Sequence, residues 1–121
     1  MCWRTWARRA PAHYALHESL DLFRKAGAAT RQAEALNELG RLRMAEGRYD
    51  EAIAHQSEGL AIAGQYGDWL CEADIRKSLG ELHRAQDRLP EARREWRIAL
   101  SIHEKHNAHG ATDLERLLRS T

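Results

Sequence analysis

The chain has 121 residues, 43% of them hydrophobic and 31% charged, which leaves room for one domain and excludes the compositions of disordered or collagen-like chains. Nineteen Lys and Arg against eighteen Asp and Glu leave a formal charge of +1, without the basic excess of a nucleic-acid module. Valine is absent, and Ala, Leu, Glu and Arg dominate, a balance that favours helix over sheet.

In chain order, Arg4, Arg8 and Arg9 give the N-terminus its one local basic excess, read as a solvated helix end. From Pro11 to about Ala26, apolar residues at Ala12, Ala15, Leu16, Leu20, Leu22 and Phe23 keep helical spacing. Gly27 closes that segment where helices favour glycine. Thr30 is placed to cap a second helix, which carries Ala33, Leu36, Leu39, Leu42 and Met44 to about Glu46, and Gly47 ends it. After Arg48-Tyr49 a third helix runs from about Asp50 to Tyr66, its Asp50 and Glu51 suited to the positive end of the dipole. Gly67-Asp68 breaks the chain again. A fourth helix spans about Trp69 to Gln86, and a turn at Asp87-Arg88 leads to Pro90, well placed in a first helical turn. That fifth helix carries Trp96, Ala99, Leu100 and Ile102 to about His106. Residues 107–110 read as a loop, and Thr112 with Asp113 as the cap of a last short helix bearing Leu114, Leu117 and Leu118.

The pattern has a period of 40. Leu39-Gly40 recurs as Leu79-Gly80, and Ala12, Ala52 and Ala92 share a phase, as do Leu20, Leu60 and Leu100. Ala33/Ala73, Leu42/Leu82, Ala45/Ala85, Arg48/Arg88 and Glu51/Glu91 extend the match. A fixed period in this range marks stacked repeats, which build extended surfaces for recognition. Mid-helix Gly40 and Gly80 each cost about 1 kcal/mol against alanine; close approach of the partner helix explains them, with Ala52 and Ala92 as the expected facing residues.

Helix pairs with Leu-Gly in the first helix and Gly-Arg-Tyr-Asp-Glu-Ala at the turn resemble the tetratricopeptide repeat. The matching positions are Leu36, Leu39, Gly40, Arg43, Ala52, Gln56 and Gly59, then Arg76, Leu79, Gly80, His83, Ala92, Trp96 and Ala99. Arg43, His83 and Gln56 depart from the family's aromatic slots, and Gly64 and Glu104 stand where it often has proline. The family's period is about 34; the longer period here is similar to that of C-terminal arrays in bacterial regulators of the Streptomyces antibiotic regulatory protein type. The resemblance implies an all-α antiparallel helix-hairpin solenoid, a right-handed superhelix of about two and a half repeats plus a short C-terminal helix. Its divisions within one domain, 1–121, are a half repeat at 1–28, repeats at 29–68 and 69–108, and a capping helix at 111–119. Trp96 is expected in the core, between the helices of its own repeat. The resemblance also implies a concave groove lined by the first helix of each repeat, with Glu34, Asn37, Arg41 and Met44, then Asp74, Lys77, Glu81 and Arg84. Lys77 is followed by Glu81 rather than Asn, which disfavours a clamp on a peptide C-terminus.

The implied function is protein–protein interaction, as a detached or truncated part of a bacterial signalling or transcriptional regulator; Arg outnumbering Lys 16 to 3 fits a GC-rich bacterial origin. The alternative is a peptide or small-ligand sensor closing around an effector. Partners are expected to be protein or peptide, without direct nucleic-acid or membrane contact. Because the array opens on half a repeat, either Trp3 and Trp6 fill its flank or the chain belongs to a longer array; self-association through that edge is one expectation.

Chemistry is sparse. His13 and His17, four apart, and His103, His106 and His109 invite a metal, yet neither set has the further ligands a site needs. Ser19, Ser57, Ser78 and Ser101 lack a nucleophile elbow, and no phosphate loop follows a strand. Cys71, near the start of a helix, is placed for a lowered pKa, yet no motif pairs a histidine with it. No enzyme activity and no cofactor are expected. Cys2 and Cys71 form no disulfide framework, and no stretch resembles a signal peptide or membrane span, so a cytoplasmic setting is expected.

Overall fold

In the computed structural model of the chain, the described residues are 15–25, 27–106 and 111–120. Helix α1 covers residues 15–25. It is followed by α2 (Ala29–Ala45), α3 (Tyr49–Gln65), α4 (Trp69–Ala85), α5 (Leu89–Lys105) and α6 (Ala111–Arg119). There is no strand among the described residues, so the fold is all-α: antiparallel helix hairpins stacked in series. Each boundary of the α4–α5 hairpin lies 40 residues after its counterpart in α2–α3, 29 to 69, 45 to 85, 49 to 89 and 65 to 105.

The turns set this regularity. Gly27, Gly47 and Gly67 have positive φ, and Asp87 holds the same left-handed conformation at φ 60°. In each turn that residue donates to the carbonyl three before it, and the next residue donates to the carbonyl five before it, as Gly47 to Met44 (2.9 Å) and Arg48 to Arg43 (2.8 Å). This is the Schellman arrangement, which satisfies the last carbonyls of a helix and reverses the chain in very few residues. The residue after the left-handed one immediately caps the next helix. Asp68 does so with its side chain, accepting from the Cys71 N–H at 3.2 Å. Thr30 does not cap α2: the helix begins one residue earlier, at Ala29, with Ala28 at the cap and no side-chain bond. Thr112 and Asp113 likewise lie inside the first turn of α6. Pro90 sits in the first turn of α5, where its missing N–H costs nothing.

Among the described residues three apolar clusters run through the stack, and each joins a hairpin to the next element along it. Leu20, with Leu16 and Phe23 of α1, packs on Leu36 and Leu39 of α2 and Ile62 of α3. Ala33, Ala52 and Ala63 meet Cys71, Ile75, Leu79 and Leu82 of α4. Ala92, Trp96 and Ala99 of α5 meet Leu114, Leu117 and Leu118 of α6. No hairpin buries its apolar face alone, which is the physical reason repeats of this kind stack.

Trp96 is fully buried, as expected from the sequence, and its indole N–H donates to the Lys77 carbonyl at 3.2 Å. The close approach at the mid-helix glycines is present, but Ala52 and Ala92 are not what they face. A Cβ on Gly80 would lie on the Trp96 ring, 2.8 Å from Cε2, and one on Gly40 would lie 2.9 Å from Cδ of Gln56. Glycine is there because a large side chain four residues after the alanine crosses the helix at that point. Leu22, placed on the apolar stripe by spacing, is 64% exposed, whereas Ile62 at the same phase in α3 packs back toward α1.

Candidate functional site

Helices α2 and α4, the first helices of successive hairpins, lie side by side, and α6 approaches α4 where Lys77 meets Asp113. The eight residues expected to line a groove sit on these two helices, four on α2 and four on α4. Glu34 and Arg41 of α2 are exposed, and Met44 is half-buried. Across the seam, Glu34 acts electrostatically on Cys71, and Arg41 on Asp74. Asp74 and Arg84 of α4 are exposed, and Lys77 and Glu81 are half-buried. Asn37 is only 9% exposed; its side-chain oxygen is buried without a hydrogen-bond partner among the described residues, so it lies beneath the surface rather than on it.

Three of the eight positions converge. Met44, Glu81 and Arg84 line an open cavity of about 520 Å³ together with Ala45, Tyr49, Ala85 and Leu117. Met44 and Ala45 end α2, Tyr49 begins α3, Glu81, Arg84 and Ala85 end α4, and Leu117 comes from α6. Apolar surface from four helices thus shares the cavity wall with one carboxylate and one guanidinium, both from α4. The chemistry suits a partner's apolar side chain with polar contacts beside it, the pattern of protein interfaces. Tyr49, which the sequence places in a turn, and Leu117, assigned to a cap, complete this wall. Period-based reasoning passes over them because the wall depends on how separate hairpins stack.

Farther along α4, Lys77 approaches Asp113 of α6 at 4.0 Å. Partial burial raises the Asp74 carboxyl, and His103, Lys77 and Arg41 offset this by favouring its charged form. The Ser78 hydroxyl donates to the Asp74 carbonyl at 3.2 Å and is buried, a helix-internal bond.

Cys71 does not have the lowered pKa that its place near a helix start would allow. Burial, with Asp68, Glu34 and Asp74 adding negative charge, pushes it up to about 12, and it is a free, buried cysteine. Desolvation outweighs the helix start. His103 and His106 turn toward Trp69: His106 stacks on its ring at 4.1 Å and His103 meets it edge-on at 6.3 Å. Among the described residues no group of three or more His, Cys, Asp or Glu is arranged to hold a metal. His13, His109, Cys2, Trp3, Trp6 and the Arg4, Arg8 and Arg9 cluster lie outside the described residues. No described helix is long and apolar enough to cross a membrane.

Comparison with known families finds a match to the tetratricopeptide repeat over residues 31–105, well over half of the chain. A search of curated proteins finds no significant match.

Proposed function

The chain belongs to the tetratricopeptide repeat family, whose repeats generally mediate protein–protein interaction, and from this we propose that it is a protein-binding module whose partner lies along the face shared by α2, α4 and α6. The observation that carries the reading is the cavity at Met44, Tyr49, Glu81, Arg84 and Leu117. Its apolar floor and mixed-charge rim match what a docked protein segment needs. The cavity is open, and Glu34, Arg41 and Asp74 are exposed on α2 and α4, which favours a protein segment over an enclosed small effector. No catalytic role is proposed.

Reversing two charges of that face, Arg41→Glu with Arg84→Glu, should leave the fold intact, because exposed charges add little stability. It should weaken partner binding, because complementary charges steer and orient association. A purified partner that binds both versions equally would contradict the assignment.

The setting we propose is cytoplasmic, within a bacterial signalling or transcriptional regulator, with the chain as a single repeat domain. The 40-residue period and the arginine-rich composition support it. Coding sequence for a DNA-binding or nucleotide-binding domain in the same frame or beside it would bear it out; a neighbourhood with neither would count against it. Self-association through the edge carrying Trp3 and Trp6 belongs to the same reading. It rests on the spacing of two indoles among arginines, and unchanged sedimentation of a Trp3→Ser, Trp6→Ser variant would oppose it.

A further inference from the structure

We propose that the outward face of α5 is a second docking surface, fitted to an acidic amphipathic helix of a partner protein. Ala92, Trp96, Ala99 and His103 turn α5 toward the core. The opposite side carries two ridges rising by four residues, Leu89–Arg93–Arg97 and Pro90–Arg94–Ile98, and the furrow between them encloses about 530 Å³. Such rows are the geometry into which a second helix lays its own ridge. Leu89 and Ile98, each 36% exposed, give the furrow apolar ends, and guanidinium groups stand between them.

No carboxylate lines this furrow. Arg94 and Arg97 are exposed and make no ion pair among the described residues, while Glu95 is taken by Arg76 at 3.1 Å. Arg93 is fixed at one edge by donating to the Leu118 carbonyl at 3.1 Å. Arg94 and Arg97 therefore hold cationic capacity that no carboxylate among the described residues consumes.

The preceding hairpin serves as an internal control. Forty residues earlier stand Ile53, Ala54, Ser57 and Glu58 in place of Arg93, Arg94, Arg97 and Ile98. Ile53 packs on the core and Glu58 pairs with Arg24 at 3.2 Å. The repeat scaffold thus has no need of arginine at these positions, nor of an exposed isoleucine where the first hairpin has a glutamate.

The ligand chemistry follows from that composition. Guanidinium groups bind carboxylates in paired hydrogen bonds, and arginines three or four apart on a helix meet acids at the same spacing on a partner. From Leu89 to Ile98 the face runs about 14 Å, at roughly 1.5 Å per residue, matching two to three turns of a docked helix. A phosphate backbone would leave Leu89, Pro90 and Ile98 without apolar contact, so an amphipathic protein segment fits better than a nucleic acid.

Fluorescence anisotropy with the full chain tests this, using a labelled amphipathic helical peptide of leucine, alanine and glutamate. Its lysine-for-glutamate counterpart and a labelled oligothymidylate are the comparison probes. The glutamate peptide should bind, and the Arg94→Glu, Arg97→Glu variant should lose at least about tenfold in affinity with its circular dichroism unchanged. The Arg41→Glu, Arg84→Glu variant on the other face should bind the peptide as the parent does. Failure of the glutamate peptide to bind, undiminished binding by the α5 variant, equal binding of the lysine peptide, or tighter binding of the oligothymidylate at the same arginines would each overturn the proposal.

Discussion

Gly80 and Trp96 occupy one site between α4 and α5, and neither can change without the other. The indole is fully buried and tied by its N–H to Lys77, so it has no room to yield to a Cβ. Gly80→Ala gains about 1 kcal/mol of helix propensity but meets an overpacking cost of roughly 1–3 kcal/mol; a net loss of stability is expected in a denaturant melt. Gly40→Ala presses instead on Gln56, a flexible side chain whose amide atoms have no hydrogen-bond partner among the described residues, and should cost less. Equal melts for the two variants would contradict the packing account. The period marks Gly40 and Gly80 as sites of close approach, but it does not say which facing side chain fills the space. That depends on the crossing point of the two helices, which shifts the contact from Ala52 and Ala92 to Gln56 and Trp96.

His55 gives a pH effect at the same scale. Burial lowers its pKa from the ordinary 6.5, and the charges of Arg43 and His17 push the same way, with Glu58 and Glu51 opposing. The unfolded chain therefore binds this proton more readily, so stability falls as pH drops through and below the ordinary imidazole range. His55→Gln should flatten the fall between about pH 7 and pH 5. An unchanged slope in the variant would remove His55 as its source.

Among the elements, the turns decide most. Residues 27, 47, 67 and 87 all adopt the left-handed conformation, three as glycine and one as aspartate. Asp87→Gly should stabilise the α4–α5 hairpin by about 0.5–1 kcal/mol, since glycine meets no Cβ penalty there. A melting temperature at or below the parent's would show that the Asp87 side chain has a compensating role. The helices are legible in the sequence because these breaks punctuate it; glycine at three of the four turns leaves little choice of boundary. The starts are less legible. Thr30 has a capping side chain but sits two residues too late, because the Schellman turn already fixes Ala28 as the residue before the helix. Composition names residues able to cap, and the preceding turn selects which one stands at the cap.

At the scale of the molecule, three apolar clusters among the described residues join successive elements of the stack, so its two faces are free to differ. The eight groove positions read from the sequence fall on α2 and α4, but only the stacked structure shows that Met44, Glu81 and Arg84 share a cavity with Tyr49 and Leu117. Leu117 lies more than thirty residues from any other wall residue in sequence, and no period places it there.

The most direct test of the binding face is site-specific photocrosslinking in the native host. A benzophenone amino acid would replace Glu81, in the cavity wall, or Ala54, exposed on α3. The account predicts a discrete crosslinked partner from position 81 that is missing from position 54 and suppressed by Arg41→Glu with Arg84→Glu. The same partner captured from position 54, with nothing from position 81, would place the binding face elsewhere and contradict it.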